Sequence, residues 1–227
     1  MKKIVSLILL FIICLGIIFC LQKIPFGAAK TKVGNYYIDN GREETGAANI
    51  VTSIVLNYRG FDTLGEVTIL FLAAMGLGAV LATLQKKDKR QIEQASLILK
   101  TGCRFLFPLI LLFGAYIFFH GHLTPGGGFQ GGAIIASAFL LVYLGCRGRK
   151  INETGSKLTE SIGGLVFLIM GLIGLTLGGH YFLSNFIPKG EINTLFSAGI
   201  IPIIYIAIGF KVGSELTGII DNLMEKS

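Results

Sequence analysis

Six apolar runs in the sequence are each close to the length that a helix needs to cross a lipid bilayer. A hydrocarbon core of about 30 Å requires about 20 residues of helix. Charged or turn-forming residues separate each run from the next. The pattern therefore predicts an all-α, polytopic membrane protein with six transmembrane helices. The predicted spans are Ile4–Leu21, Thr63–Leu84, Ile98–Phe119, Phe129–Cys146, Leu158–Phe182 and Leu195–Ile219.

The composition excludes a soluble enzyme domain. Of the 227 residues, 52% are hydrophobic and 15% are charged, whereas about a quarter of a soluble domain is charged. The net charge of +7 is not arranged as a basic stripe with interleaved aromatic residues, so it indicates no nucleic-acid surface. The four cysteines show no metal-ligand spacing. We interpret them as packing residues and predict neither a metal site nor a cofactor in this chain.

The distribution of basic residues predicts the orientation in the membrane. With the amino terminus inside, 14 of the 20 Lys and Arg residues lie on the cytoplasmic side, where basic residues are retained. Six spans then place both termini in the cytoplasm. The first run also fits a secretory signal peptide, because it has a basic start and is followed by Ala28 and Ala29. Its 18 residues exceed the usual signal core of about 7–15 residues, which favours a retained helix.

Ionisable groups inside a membrane are costly, so each one is a candidate for function. Glu66 lies four residues after Asp62 and hence on the same face of the second predicted span. Two such carboxylates can pass a proton or bind a cation. The structural alternative is that Asp62 caps the helix while Glu66 pairs with a basic residue such as Arg59. Upstream, Ala48–Leu56 has helical spacing and is predicted to pack on the bundle rather than lie on the membrane surface.

The connection from His120 to Gly132 is rich in glycine, which permits a close approach of neighbouring chains. Histidine is the side chain whose ordinary pKa lies near neutral pH, so His120 and His122 are candidate proton carriers; the alternative is that they form hydrogen bonds at a helix end. The predicted structural residues of this loop are Pro125, Gly126, Gly127, Gly128, Phe129, Gly131 and Gly132.

A charged pair is also predicted in the last span, where Lys211 and Glu215 are four residues apart and can meet on one face. The predicted span places them about one turn inside the cytoplasmic boundary. They form either a structural ion pair or one step of a charged axis. Glu160 and His180, which terminate the fifth span, are secondary candidates of the same kind.

Two stretches resemble a known family. Leu97–Gly218, with its glycine-rich loop, resembles the B subunit of the multisubunit Mrp-type sodium/proton antiporters. Asn57–Glu66 resembles the carboxy-terminal end of the antiporter A subunit. The resemblance divides the chain into a two-helix segment at 1–90 and a four-helix, B-like domain at 91–227. In the family a large antiporter domain precedes the A-type segment, and these 227 residues do not contain it.

A detached A-type segment joined to a B-like part resembles the arrangement in membrane-bound hydrogenases and related ferredoxin-linked complexes. The resemblance implies a non-catalytic subunit of a cation/proton antiporter module in a prokaryotic plasma membrane. Na⁺ or H⁺ is the implied transported ion, and Glu66 matches a family carboxylate implicated in transport. Partner membrane subunits, and hydrogenase or ferredoxin-linked subunits that carry Ni–Fe and Fe–S centres, are the implied partners.

Three alternatives remain open at this point. The chain can belong to a free-standing Mrp antiporter, or it can be a purely structural scaffold that joins subunits through glycine-rich helix faces. The third is an autonomous transporter, which the absence of two similar halves with broken helices disfavours.

Overall fold

The computed structural model describes residues 2–23, 32–83, 95–145, 153–178 and 181–226. Within these ranges the chain is all-helical. His180, Cys146 and the charged stretch 86–90 lie outside the described residues. The helices are α1 (Lys2–Lys23), α2 (Lys32–Thr45), α3 (Ile50–Ser53), a π-helical turn (Ile54–Tyr58), α4 (Gly60–Thr83), α5 (Leu97–Phe119), α6 (Gly128–Gly145), α7 (Glu153–Leu177) and α8 (Ile201–Lys226).

Five of these helices are long and apolar enough to cross a membrane: α4, α5, α6, α7 from Thr154, and α8 as far as Met224. The apolar part of α1, Leu7–Gln22, is shorter. The described side chains of α1 are exposed, and this helix belongs to a separate compact unit, Met1–Asn35. The predicted membrane-protein class is thus supported with five candidate spans, and the sixth span stays a prediction.

The second compact unit, Tyr36–Ser227, is a bundle organised around α8. This helix packs against α4, α5, α6 and α7. Its buried residues, among them Ile204, Tyr205, Ile208 and Val212, form the centre of the hydrophobic core. Because α8 contacts four neighbours, a polar side chain on its inner face is withdrawn from lipid.

Glycine lets α6 approach α8 closely. A Cβ added at Gly132 would lie 2.9 Å from the Gly209 carbonyl oxygen and 2.9 Å from the Gly213 nitrogen. At Gly128 it would lie 2.7 Å from Ile208. The face formed by Gly128, Gly132 and Ala136 is therefore occupied within the chain. In α4, by contrast, a Cβ at Gly78 would meet nothing within 4 Å.

The predicted fifth span, Leu158–Phe182, is wrong at both ends, since α7 runs from Glu153 to Leu177. After Leu177 the chain turns back, and Phe182 lies against Gly171, where an added Cβ would overlap the Phe182 ring. The apolar residues at 182–183 therefore cover their own helix instead of extending it.

The predicted last span, Leu195–Ile219, is displaced. The helix begins at Ile201 and continues to Lys226. Ala198 and Gly199 have φ values of 67° and 59°, which an α-helix cannot contain. The Asn185 side chain stabilises this turn by accepting a hydrogen bond from the Ile200 amide at 3.1 Å and donating one to the Ala198 carbonyl at 3.2 Å.

Candidate functional site

The best-defined charged cluster lies on the inner face of α8. The Lys211 ammonium donates to Oε2 of Glu215 at 2.9 Å. The Glu160 carboxylate of α7 lies 3.9 Å from the same ammonium. The side chains of Lys211 and Glu215 are 9% and 2% exposed, so the pair is largely enclosed by the bundle. The predicted i, i+4 pairing is present, and Glu160 joins it from a second helix.

The cluster lies near the middle of α8. Lys211 is the eleventh of the 26 residues of this helix, and 13 positions separate it from Met224, where the candidate membrane span ends. At 1.5 Å per residue this is about 20 Å of helix. The depth of the pair below the cytoplasmic boundary stays a prediction.

Two adjacent glycines of α7 bring Glu160 to the pair. A Cβ at Gly163 would lie 2.6 Å from the Ala207 carbonyl oxygen and 3.1 Å from the Lys211 Cβ. At Gly164 it would lie 3.5 Å from Lys211 Cδ. Glu160 precedes Gly163 by three residues and thus lies about one turn away along the contact. On the α4 side, the Lys211 ammonium lies 5.3 Å from the centroid of the Phe71 ring.

The segment before α4 packs on the glycine-rich loop, as predicted. The Gly121 carbonyl accepts hydrogen bonds from Asn49 Nδ2 at 3.0 Å and from the Thr52 hydroxyl at 2.6 Å. Asn49 Nδ2 also donates to the Thr124 carbonyl at 3.0 Å. The Tyr205 hydroxyl of α8 donates to Thr52 at 2.8 Å. The sequence does not predict the roles of Asn49, Thr52 and Tyr205, because only tertiary packing brings them to the loop.

The loop glycines serve close packing. A Cβ at Gly121 would lie 2.7 Å from the Tyr205 ring, and one at Gly127, where φ is 155°, would lie 2.8 Å from Gln130 Oε1. The other loop residues that were predicted to be structural fall into two groups. Gly126, Gly128, Gly131 and Gly132 meet neighbours within 3 Å of an added Cβ, whereas Pro125 is exposed and Phe129 packs partly buried against the core.

The two histidines of this region occupy different environments. The His120 ring stacks on Tyr116 with centroids 4.2 Å apart and is partly exposed. His122 is fully buried; its Nε2 lies 3.3 Å from the Thr194 carbonyl, and its Nδ1 has no partner in the described part of the chain. Burial lowers the pKa of His122 below its usual value of 6.5.

The carboxylates at the start of α4 do not form a pair with each other. Asp62 forms a salt bridge with Arg59, which leaves Glu66 without that candidate partner. Glu66 is exposed on α4, and no ion pair involves it within the described residues. An unpaired carboxylate on a membrane-spanning helix is costly unless a neighbouring subunit or water reaches it.

A further polar group lies around Glu44 of α2 and was not singled out from the sequence. Its carboxylate accepts hydrogen bonds from the Tyr36 hydroxyl at 2.6 Å and from the Tyr58 hydroxyl. These two bonds lower the pKa of Glu44. Lys189 Nζ donates to the neighbouring Glu43 carbonyl at 3.1 Å. In the described residues, no group of three His, Cys, Asp or Glu side chains converges as metal ligands would.

Comparison with known families decides the identity of the chain. Residues 98–218 match a domain related to the MnhB subunit of Na⁺/H⁺ antiporters, and residues 2–94 match MbhE, a subunit of MBH. The first match alone covers more than half of the sequence. The chain belongs to the family of MnhB-related antiporter subunits. The resemblance inferred from the His120–Gly132 loop and the Asn57–Glu66 segment is thereby confirmed.

The MnhB-related chain is similar to proteins of known and unknown role. It is 35% identical to an uncharacterised protein of Methanocaldococcus jannaschii, with 74% of each chain covered. It is 47% identical to a chain of the membrane-bound sulfane sulfur reductase, an archaeal respiratory membrane complex, with a TM-score of 0.78 and 98% of each chain covered. A chain of the Mrp complex from Dietzia sp. DQ12-45-1b shares the fold, with a TM-score of 0.72 at 23% identity, and this chain covers 26% of it.

These matches and the five apolar helices identify the MnhB-related chain as a membrane subunit of a cation/proton antiporter module.

Proposed function

We propose that the chain forms part of the ion path in a redox-linked respiratory complex of a prokaryotic plasma membrane. The observation that carries this proposal is the cluster of Lys211, Glu215 and Glu160 near the middle of α8. A buried ion pair in a helical bundle is seldom more stabilising than apolar residues of the same size. Ionisable groups at membrane depth commonly mark ion pathways and proton relays.

The similarity to the sulfane sulfur reductase supports a redox-linked complex over a free-standing Mrp antiporter. That likeness extends over 98% of both chains at 47% identity, whereas the Mrp likeness covers 26% of a longer chain. The match to MbhE of MBH agrees with the same class. In this proposal other membrane subunits of the module are the neighbours, and partner subunits of hydrogenase or a related type carry the Ni–Fe and Fe–S centres.

The proposed topology has six spans with both termini in the cytoplasm. It includes α1 as the additional membrane helix, supported by its 22 residues and by the distribution of basic residues along the chain. In this orientation the carboxyl-terminal end of α8 faces the cytoplasm, and Glu66 lies toward the outer end of α4.

Glu66 is the second residue proposed for the path. Its exposure on α4 leaves its charge to be neutralised by a transported cation or by a residue of an adjacent subunit. A place on the ion path has weaker support for Asp62 and for the two histidines. Asp62 already forms a salt bridge with Arg59, and His122 is fully buried. The domain boundary at residue 90 likewise stays a prediction.

Sodium transport by the assembled complex tests this proposal. Inverted membrane vesicles containing the complex would be energised with its electron donor, and ²²Na⁺ uptake and proton movement would be followed. Glu215→Gln and Glu66→Gln should each lower transport at least tenfold while the complex still co-purifies with its partners. Glu191→Gln, in the exposed loop before α8, is the matched control and should leave transport unchanged.

The rival scaffold function predicts the opposite result. If both variants assemble and transport at the normal rate, the chain joins subunits without conducting ions. Mass spectrometry of the native complex separately tests whether the complex is redox-linked or a free-standing antiporter. Co-purifying iron–sulfur subunits support the redox-linked complex, whereas antiporter subunits alone contradict it.

A further inference from the structure

A cavity of about 420 Å³ lies beside the charged cluster, between α4, α7 and α8. On the α4 side its wall is apolar and is formed by Phe71, Ala74 and Met75. The α7 and α8 sides are polar and include Glu160, Ser161, Ser214, Glu215, Thr217 and Asn222. A space of this size with polar walls holds several water molecules.

The cavity extends from the buried pair toward the end of the span. Its α8 wall reaches from Ser214 to Asn222, which is about 12 Å of helix at 1.5 Å per residue. Asn222 is two residues before Met224, where the candidate membrane span of α8 ends. The cavity therefore connects the charged cluster with the carboxyl-terminal end of this candidate span.

Two buried polar atoms on the cavity wall lack partners. Glu215 is 3% exposed, yet within the residues that the structure describes its Oε1 accepts no hydrogen bond. Thr217 is also 3% exposed, and its hydroxyl has no hydrogen-bond partner among the same residues. A buried polar group without a partner costs about 1–3 kcal/mol. Both residues line the cavity, so a rotation of either side chain toward it would bring these atoms to water or to a cation.

Among the described residues, carboxylates outnumber ammonium groups around the cavity. Lys157 and Glu160 line it from α7, and Glu215 and Asp221 from α8, while its described α4 wall carries no charge. Lys211 forms an ion pair with Glu215. Asp221, at the far end, accepts a hydrogen bond from the Tyr143 hydroxyl at 2.5 Å. An excess of carboxylates favours a cation in the cavity.

We propose that this cavity is a hydrated vestibule through which a monovalent cation, either H⁺ or Na⁺, reaches the free carboxylate oxygen of Glu215. The inference rests on the proposed function only for the onward movement of the ion. Access of water and of a cation to Glu215 is a property of the cavity itself. It can therefore be tested without measuring transport.

Thiol labelling of the assembled complex in membrane vesicles tests the vestibule. In a chain whose four native cysteines are replaced by alanine, Ser214→Cys places a thiol on the cavity wall. Leu216→Cys is the matched control, because it is two residues away and similarly half-buried but packs on the hydrophobic core. A membrane-impermeant cationic methanethiosulfonate should label the first at least tenfold faster. Equal rates, or no labelling of Ser214→Cys, would overturn the proposal.

Thr217→Cys, at a second wall position, covers the case in which Ser214→Cys fails to assemble. Because Thr217 is 3% exposed, this cysteine should label more slowly than Ser214→Cys but still faster than Leu216→Cys. Co-purification with partner subunits establishes assembly for each variant, and labelling confined to unassembled chain counts against the vestibule.

The charge of the reagent and the sodium concentration identify the cation. The cationic reagent should label Ser214→Cys at least fivefold faster than an anionic one, and Glu215→Gln should abolish this preference. Labelling that Na⁺ slows, with the protection lost in Glu215→Gln, identifies Na⁺ as the occupant. The thiolate fraction itself rises with pH, so the pH dependence is compared with that in Glu215→Gln. Labelling that is insensitive to Na⁺, and that rises more steeply with pH when Glu215 is present, identifies H⁺. A charge preference that survives Glu215→Gln would refute the role of this carboxylate.

Discussion

Replacing Lys211 by methionine removes the ammonium group that Glu215 and Glu160 share. With an effective dielectric constant of about 20, the gross attraction across 2.9 Å is about 6 kcal/mol, and across 3.9 Å it is about 4 kcal/mol. Most of this attraction is offset by the desolvation of the charges. The loss of one partner nevertheless leaves a buried charge uncompensated, which costs about 3–5 kcal/mol. We expect Lys211→Met to destabilise the chain by that amount.

Glu215→Gln should cost less, about 1–2 kcal/mol. The amide oxygen of glutamine still accepts a hydrogen bond from Lys211, and Glu160 still lies 3.9 Å from the ammonium. The double variant, Lys211→Met with Glu215→Gln, should be at least about 1 kcal/mol more stable than the sum of the two single effects, since residues in one ion pair are coupled. Glu160, which is 22% exposed, can turn toward water when the ammonium is absent.

Thermal unfolding of the full-length chain in mild detergent measures these differences. At about 2–4 °C per kcal/mol, Lys211→Met should lower the midpoint by about 6–20 °C and Glu215→Gln by about 2–8 °C. Lys100→Met, at an exposed position of α5, is the control and should shift the midpoint by less than about 2 °C. The reasoning would be refuted by equal losses in the two single variants, or by additive losses in the double variant.

The pH dependence of unfolding tests the burial of His122, and glycine substitutions test the close packing of α6 on α8. Since burial lowers the pKa of His122, the unfolded chain binds a proton that the folded chain does not; stability is complete above about pH 6.5 and declines below it. The unfolding midpoint should therefore decrease as the pH is lowered from about 6.5 to about 5.5. This decrease should be smaller in His122→Asn and unchanged in His120→Asn. Gly132→Ala should destabilise the α6–α8 contact by about 1–3 kcal/mol. Gly78→Ala, where the added methyl group meets open space, is the control and should not destabilise the chain. The fraction of chain that stays folded after heating measures both effects, and equal losses of folded chain in the two variants would contradict the packing argument.

The number and type of the bundle helices were predictable because the bilayer fixes the length of a span. The runs predicted at Thr63–Leu84, Ile98–Phe119 and Phe129–Cys146 agree with α4, α5 and α6 to within a few residues. Prediction failed where apolar residues leave the helix and pack on it. Phe182 lies against Gly171, and hydropathy alone cannot separate that turn from a longer span.

Only the contacts of the charged cluster along α8 were predictable from the sequence. Spacing along α8 brought Lys211 and Glu215 together, because residues four apart share a helix face. Nothing local indicates that Glu160 approaches the same ammonium. That approach depends on Gly163, whose missing side chain lets α7 lie against the backbone of α8 at Ala207.

The glycine-rich loop and the charged cluster are connected through α8. Tyr205 holds the loop through Thr52 and through the space left by Gly121. Lys211 follows six residues later, about 9 Å along the same helix. Because α8 is rigid over that distance and closely packed against α6, a displacement of the loop must either break the Tyr205 contacts or move Lys211 relative to Glu160. We therefore expect the glycine-rich loop to act on the charged cluster through its backbone contacts, which fix the position of α8, while the proton-carrier role of His120 and His122 stays a prediction.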